Sequence, residues 1–177
     1  MSVLRSDAQR NLERVLSAAA EAFAAYGPDV SIDEIARRAG VGHATVFRRF
    51  PTKGSLIDAV MEEHVRRVRR LADDALGADD AGAAFTEFVW GAAELHMEKR
   101  GLHACLPHCE TAEAADLEHA ALELVERAQR AGAIRRDVTP LEVGLLVRAA
   151  LETAPTETWR AFLRVVLDGL QPPDPRS

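Results

Sequence analysis

Two stretches of the chain carry side chains whose types and spacing could do chemistry. The first stretch, residues 43–53, holds His43, Thr45, Arg48, Arg49 and Lys53. Cationic and hydroxyl groups of this kind donate hydrogen bonds to phosphate oxygens and base edges of nucleic acids. The second stretch holds, in chain order, His96, His103, Cys105, His108 and Cys109. Imidazoles and thiolates bind zinc, and paired thiols respond to redox conditions, so this stretch offers a metal or redox site.

Residues 31–50, SIDEIARRAGVGHATVFRRF, read as two short helices joined by a tight turn. Ser31 can cap the first helix, with Glu34 completing a capping box. Gly40 follows the last apolar position of that helix, where a left-handed residue is often needed. In the second helix, from 43 to 50, the spacing turns Val46, Phe47 and Phe50 inward and leaves Thr45, Arg48 and Arg49 outside. This is the helix-turn-helix pattern, whose second helix enters the major groove of DNA.

The apolar pattern of residues 7–26 predicts a helix ahead of this pair, ended by Gly27 and Pro28. The three helices should share one core, made of Leu12, Val15, Leu16, Ala19, Phe23, Ile32, Ile35, Ala36, Val41, Val46 and Phe50. Arg5 and Arg10 lie where an N-terminal arm could reach the DNA backbone, and a frayed, solvated terminus is the alternative.

The charge of the chain is unevenly distributed. The net charge of the 177 residues is −6. Residues 1–53 hold eight Lys/Arg and six Asp/Glu, a net charge of +2, and the remainder carries 14 basic and 22 acidic residues, a net charge of −8. A mildly basic end on an acidic body fits a protein that touches phosphates at one end only.

The rest of the chain reads as further helices, and no strand or repeat is apparent. Helices are expected at about 52–76, 81–99, 112–131 and 140–151, with a last one carrying Trp159 to Leu170. Thr52 should cap the first of them, and Thr139, Pro140 and Glu142 form a strong start for the fourth. The predicted fold is all-α. Its domains are a helix-turn-helix domain at 1–53, a helical body at 54–171 and a tail at 172–177.

Composition narrows the class of protein. No apolar run approaches the roughly 20 residues of a membrane helix, and the N-terminus lacks the apolar core of a secretory signal. We therefore expect a cytoplasmic protein without a membrane partner. Cys105 with His103 or His108 is the one candidate for nucleophilic catalysis, and no third group orients it. No glycine-rich phosphate loop appears, so we expect neither an enzyme nor a cofactor.

The sequence resembles the tetracycline-repressor (TetR) family of transcriptional regulators. The resemblance is strongest over residues 10–60 and is carried by SIDEIARRAGVGHATVFRRFPTKGSLIDAV, by the helix ending at Gly27 and by the later GAIRRDVTP. It implies a homodimer of nine or so helices that binds a palindromic operator in double-stranded DNA. The first three helices would bind DNA, the middle ones would enclose an effector, and the last two would form the dimer interface.

The resemblance also implies roles for single residues. Thr45, Phe47 and Arg49 would face DNA beside Arg48 and His43, and Ser31 and Lys53 would hold phosphates at helix starts. The chain departs from the family pattern at Phe47, where tyrosine is usual, and at Gly42, where serine is common. The implied dimer interface consists of Leu141, Leu145, Trp159, Phe162, Leu163 and Val166.

The predicted effector is a small molecule held among the middle helices. The candidate lining residues are Phe85, Phe88, Val89, His96, His103, Leu106 and His119. Two alternatives stay open beside this ligand-responsive repressor. One is a regulator that senses metal or redox state through the 96–109 cluster, although its spacing matches no standard zinc motif, so no metal site is predicted. The other is a helical protein that binds a protein partner instead of DNA.

Overall fold

The computed structural model describes residues 2–27, 29–98 and 112–173, and over these ranges it is helical without strands, which confirms the predicted all-α fold. The helices in chain order are α1 (Ser2–Tyr26), α2 (Ile32–Ala39), α3 (His43–Arg49), α4 (Lys53–Gly77), α5 (Ala81–Glu98), α6 (Ala112–Arg130), α7 (Pro140–Thr153) and α8 (Trp159–Gly169).

The described residues form two compact units, each with its own hydrophobic core. The first unit, here called the head, is built from residues 2–27 and 29–64 with Glu98, and the second, the body, from 65–97 and 112–173. Helix α4 contributes residues to both units. The predicted domain boundary after residue 53 coincides with the start of α4 and remains a prediction.

The head core joins α1, α2 and α3 to the first turns of α4. Phe23, Ile35 and Leu56 are fully buried there. Burying side chains of this size contributes about 1.5–3 kcal/mol each. All eleven predicted core residues belong to this cluster, with Leu12, Ile32 and Val41 at its partly buried edge. The apolar spacing of the sequence therefore identified the core correctly.

The turn between α2 and α3 depends on Gly40. Its φ of 64° is left-handed, which an L side chain rarely adopts, and its N–H donates to the Arg37 carbonyl at 3.2 Å. The next N–H, of Val41, donates to the Ala36 carbonyl at 3.1 Å. These two bonds satisfy carbonyls at the end of α2 and fix the direction in which the chain enters α3.

At the start of α2 the predicted capping box is only half formed. The Ser31 hydroxyl accepts a hydrogen bond from the Glu34 N–H at 3.2 Å, as expected. The Glu34 carboxylate does not return to Ser31. It accepts hydrogen bonds from Arg37 and Arg38 instead, because two charged donors on the same helix outcompete one backbone N–H.

Helix α4 begins with a reciprocal cap. The Thr52 hydroxyl accepts from the Ser55 N–H at 3.0 Å, and the Ser55 hydroxyl oxygen accepts from the Thr52 N–H at 3.3 Å. The predicted cap at Thr52 is thus confirmed. It starts the helix directly after the break that follows α3.

The body core packs α5, α6, α7 and α8 around the C-terminal part of α4. Arg127 of α6 closes the end of α4 by donating to the carbonyls of Ala75 at 3.2 Å and Ala78 at 2.8 Å, and also to that of Leu76. The predicted capping box at the start of α7 is confirmed, since Glu142 N–H donates to the Thr139 hydroxyl at 3.3 Å and Thr139 N–H donates to the Glu142 carboxylate at 2.7 Å.

Two predicted helix boundaries differ from the structure by two residues or more. Helix α1 begins at Ser2 and not near residue 7, so residues 5 and 10 lie within a helix and not in an arm ahead of it. Arg10 pairs with Asp7 one turn earlier, an interaction that supports this helical start. Helix α7 continues to Thr153, two residues past the predicted end.

Candidate nucleic-acid interface

Helix α3 is short and is held by two apolar anchors. Gly42 precedes it without a side-chain cap, as expected from the missing serine. Val46 and Phe50 are buried in the head core, and the Phe50 N–H donates to the Val46 carbonyl at 2.7 Å. A seven-residue helix is marginal by itself, so packing at these two positions holds it in place.

The opposite face of α3 is open to solvent. Thr45, Arg48 and Arg49 are exposed, as predicted, and so is Phe47, whose exposed fraction is 51%. The expectation from spacing that Phe47 points inward is wrong, because Val46 and Phe50 already fill the inward positions. The exposed set therefore offers two guanidinium groups, one hydroxyl and one aromatic ring.

The two arginines of α3 have no ion-pair or hydrogen-bond partner among the described residues. Helix α2 also ends in two arginines, and both are engaged. Arg37 donates to the Glu34 carboxylate at 2.9 and 2.7 Å, and Arg38 donates to it at 2.7 Å. Hydrogen bonds from Arg37 and then Arg38 lower the pKa of Glu34 from 4.5 to about 2, so this carboxylate stays ionised.

Arg38 has a second contact, with α1. Its guanidinium lies over the Tyr26 ring, 4.8 Å from the ring centroid. Arginine above an aromatic face is attracted by the ring quadrupole. Arg38 therefore holds α2 against α1, while Arg48 and Arg49 remain available to an external anion.

His43, the first residue of α3, is tied to α2 by Asp33. Its Nδ1 lies 2.5 Å from a carboxylate oxygen of Asp33. The imidazole is also stacked on Phe47, with ring centroids 5.9 Å apart and planes at 14°. Sequence reasoning named His43 and missed Asp33. Asp33 is in the first turn of α2 and His43 is the first residue of α3. Their proximity can be predicted only when the geometry of the turn between the two helices is known.

The two residues predicted to hold phosphates lie at helix starts. The Ser31 hydroxyl is at the N-terminus of α2 and already accepts the Glu34 N–H. A hydroxyl that accepts one hydrogen bond can still donate its own proton to a phosphate oxygen. Lys53 is the first residue of α4 and is half-buried.

The predicted effector-binding residues differ in their helix and in their exposure. Phe85, Phe88 and Val89 lie on α5 and are buried in the body core, and His96 near the end of α5 is half-buried. His119 is exposed on α6. His103 and Leu106 lie outside the described residues, as do Cys105, His108 and Cys109 of the candidate metal cluster. Within the described ranges, no group of three or more His, Cys, Asp or Glu side chains is placed to hold a metal ion.

The predicted dimer-interface residues also differ in exposure, since some are exposed and others are buried. Leu141, Leu145 and Phe162 have exposed fractions of 55%, 53% and 47%, and Val166 is half-buried. Trp159 and Leu163 are instead part of the body core, at 5% and 0%. Their burial in one copy leaves little side-chain surface exposed, and their assignment to an interface stays a prediction.

Two further exposed apolar side chains, Leu146 on α7 and Val165 on α8, were missed by the sequence reasoning. The predictions had used one apolar stripe for each helix. Each of the two helices carries apolar residues on a buried side and also on an exposed side. The sequence pattern does not distinguish the two sides.

Comparison with known proteins identifies the relationship that these features suggest. Residues 15–60 match the family model for bacterial regulatory proteins of the tetR family, and residues 80–172 match the C-terminal domain of SbtR-like transcriptional regulators. The chain belongs to the TetR family. It is therefore a transcriptional regulator with a DNA-binding helix-turn-helix, as the resemblance implied.

Individual relatives agree with this assignment. A TetR transcription regulatory protein from Mycobacterium vanbaalenii is 38% identical, with a TM-score of 0.78 over 95% of this chain and 99% of that one. An uncharacterized HTH-type transcriptional regulator of Mycobacterium bovis is 40% identical over 77 residues, which are 43% of this chain and 40% of that protein. The match thus spans less than half of that relative.

A gamma-butyrolactone receptor described as ArpA-like shares the fold, with a TM-score of 0.70 and 22% identity over 94% of this chain and 91% of that one. At this identity the likeness concerns the fold alone. Over the described ranges, no helix combines the length and the apolar character needed to cross a membrane.

Proposed function

We propose that this TetR-family regulator is a homodimeric repressor that binds a palindromic operator through α3 and leaves it when a small molecule binds the body. The observation that carries the DNA-binding part is the pair of exposed arginines on α3, for which the described part of the chain offers no partner. Guanidinium groups are suited to bidentate contact with a guanine edge. We assign base contact to Arg48, Arg49 and Thr45, and flanking contacts to Ser31, His43, Phe47 and Lys53.

The exposed apolar side chains of α7 and α8 support a homodimer. Five large apolar residues stand out from these two helices, namely Leu141, Leu145, Leu146, Phe162 and Val165. Exposed apolar groups concentrated on neighbouring helices favour association with a matching surface. A second copy supplies a self-complementary surface under twofold symmetry, and it supplies the second head that a palindromic site requires.

The proposed effector site lies beside α5, whose buried aromatic residues would form an apolar wall and whose half-buried His96 would orient a polar group of the ligand. That a small-molecule receptor has the same fold is compatible with this role. An effector weakens operator binding only by as much as its affinity differs between the two conformations. We place the protein in the cytoplasm, where operator DNA is accessible, and assign it no cofactor and no enzymatic activity.

The test begins with selection of bound duplexes from a random-sequence DNA library. We expect enrichment of an inverted repeat, and sedimentation of the purified complex should show two chains on each duplex. Failure to enrich any sequence would overturn operator binding. Enrichment of a single unrepeated half-site bound by one chain would overturn the homodimer.

Substitutions separate the two sets of apolar residues in α7 and α8. Leu145→Asp with Phe162→Asp should give folded monomers, because both side chains are exposed in one copy. Leu163→Ala should instead lower the free energy of unfolding by about 2–5 kcal/mol, because it removes a fully buried side chain. A folded dimer after the double substitution would contradict the proposed interface.

The proposed effector response can be tested by measuring release of the selected duplex from the protein. Small apolar compounds carrying one polar group, lactones included, are screened for release of the bound duplex. Release by a compound should weaken when Phe88 is changed to Ala, with operator affinity in the absence of compound unchanged. A releasing compound that acts equally on both proteins would contradict the site beside α5.

A further inference from the structure

Glu34 and the two arginines that it binds form a charged cluster on α2 that the proposed operator contacts do not use. Arg37 is bidentate, since its Nε donates to Oε2 of Glu34 at 2.9 Å and its Nη2 donates to Oε1 at 2.7 Å. Arg38 donates from Nε to the same Oε1 at 2.7 Å. One carboxylate thus accepts three hydrogen bonds from two cations.

The cluster lies at the protein surface, within reach of an external anion. The exposed fractions of the side chains are 71% for Arg37, 31% for Arg38 and 30% for Glu34. In helix-turn-helix proteins the first helix of the pair crosses the DNA backbone while the second lies in the major groove. The arginines of α2 are therefore placed on the helix that passes closest to phosphates.

The edge of Arg37 that binds Glu34 is the edge that a phosphate would use. A guanidinium presents its N–H groups as a rigid fork that matches carboxylate and phosphate oxygens alike. A single exposed ion pair contributes little, but bidentate pairs and networks of several charges are the exceptions. Arg38 is held further by the Tyr26 ring below it. A phosphate must therefore displace Glu34 before it can bind Arg37 through this fork.

Non-specific affinity for DNA depends on how many phosphates the protein neutralises with lysine and arginine. We propose that Glu34 is a specificity-determining residue, which keeps Arg37 and Arg38 from the phosphates of non-operator DNA. Contacts of α3 with base edges then account for a larger share of the total affinity. The ratio of specific to non-specific affinity, which decides occupancy among many competing sites, is thereby raised. This inference rests on the operator contact proposed above.

The two kinds of complex differ in what a released arginine can add. In a non-specific complex only phosphate contacts hold the head, so the head can shift until a released arginine meets a phosphate. On the operator, base contacts fix the register of the head, and the arginine meets only a phosphate that already lies within reach. Release of Arg37 should therefore strengthen non-specific binding more than operator binding.

Loss of any carboxylate also makes the head more positive, and this effect must be separated from release of the arginines. Asp29→Asn is the matched control, because Asp29 is exposed and borders the same surface groove as Glu34. Glu34→Gln keeps the length of the side chain and the backbone N–H that donates to Ser31. Adding Arg37→Gln and Arg38→Gln to it removes the cations that Glu34 would release.

The experiment measures affinity for the selected duplex and for a random-sequence duplex between about 50 and about 200 mM salt. On the random-sequence duplex, Glu34→Gln should steepen the slope of log K against log salt by about 0.9 for each arginine that reaches a phosphate. Its ratio of selected to random affinity should fall by about threefold at the lower salt concentration for one added contact. Asp29→Asn and the triple variant should keep the wild-type slope, and thermal melts establish that every variant is folded.

The outcomes separate this inference from the proposed function. If no duplex is selected, operator binding fails and the inference falls with it. If a duplex is selected but Asp29→Asn steepens the slope as much as Glu34→Gln does, only the inference is overturned. The same holds if the steeper slope persists in the triple variant, or if Glu34→Gln leaves the ratio of affinities unchanged. A wild-type slope in the triple variant together with a lowered ratio in Glu34→Gln supports it.

Discussion

The helix-turn-helix of this protein contains two pairs of adjacent arginines that are used in opposite ways. Arg37 and Arg38 close α2, and both donate to the carboxylate of Glu34. Arg48 and Arg49 close α3, and neither has a partner within the described ranges. The same residue type at the same place in two neighbouring helices is structural in one and available to a ligand in the other.

The difference comes from a single acidic residue. Glu34 lies three and four positions before Arg37 and Arg38, where side chains of one helix meet. Helix α3 has no acidic residue at all, so its arginines find no such partner. Counting basic residues in a DNA-binding segment therefore overestimates how many of them can reach DNA.

The largest expected effect is on operator affinity. Arg49→Ala should weaken binding to the selected duplex by about 1–3 kcal/mol for each half-site, or roughly 5- to 150-fold, because a base contact is lost. Arg37→Ala, the matched control, should change the affinity by less than about threefold, since Arg37 is already bound to Glu34. Anisotropy titrations at one pH and one salt concentration measure both. Equal losses in the two variants would remove the distinction between the helices.

A second substitution should make the two arginines of α2 available to DNA, as the two arginines of α3 are. Glu34→Gln releases Arg37 and Arg38 from their shared carboxylate. Non-specific affinity for a random-sequence duplex should rise, and the slope of log K against log salt should steepen by about 0.9 for each arginine that reaches a phosphate. Glu13→Gln is the control, because it removes the same charge from an exposed position on α1. If both variants show the same slope, Glu34 does not restrain the arginines.

A third prediction concerns acid stability. The pKa of Glu34 falls from 4.5 to about 2 through its bonds to Arg37 and Arg38. A lowered folded-state pKa means that this stabilisation is present above pH 4.5 and is lost as the pH falls through about 2. Thermal melts should therefore show a larger decrease in Tm from pH 4.5 to pH 2 for wild type than for Glu34→Gln. Parallel curves would show that the ion pairs add nothing to stability.

The smallest expected effect is at Tyr26, below the guanidinium of Arg38. Tyr26→Leu should lower Tm slightly because the cation–π contact is lost, and it should leave operator affinity unchanged. Tyr26→Phe keeps the aromatic face and should lose less stability. A loss of operator affinity in Tyr26→Leu would mean that the α2 pair takes part in DNA recognition.

Apolar spacing together with cap residues predicted most of the fold. The head core was predicted correctly because α1 and α2 each bury one well-defined side, and because Thr52 and Thr139 mark helix starts with side chains that bond the backbone. The start of α1 was missed because the first residues carry no capping signal.

The errors share a physical origin in competition between partners. Phe47 was placed inward because a seven-residue helix has too few turns for spacing to distinguish a core position from its neighbour. Glu34 was expected to return to Ser31, but two arginines compete for it. The assignment of Trp159 and Leu163 to an interface stays a prediction, since an apolar stripe does not show whether its own chain or a second copy covers it.

The central claim is that α3 reads bases through arginine side chains that have no partner among the described residues. Methylation interference at guanine N7 of the selected duplex tests it directly, because this atom lies in the major groove. The account predicts at least one guanine in each half-site at which methylation blocks wild-type binding and no longer affects Arg49→Ala. Interference patterns that are identical in the two proteins, or absent from both, would contradict it.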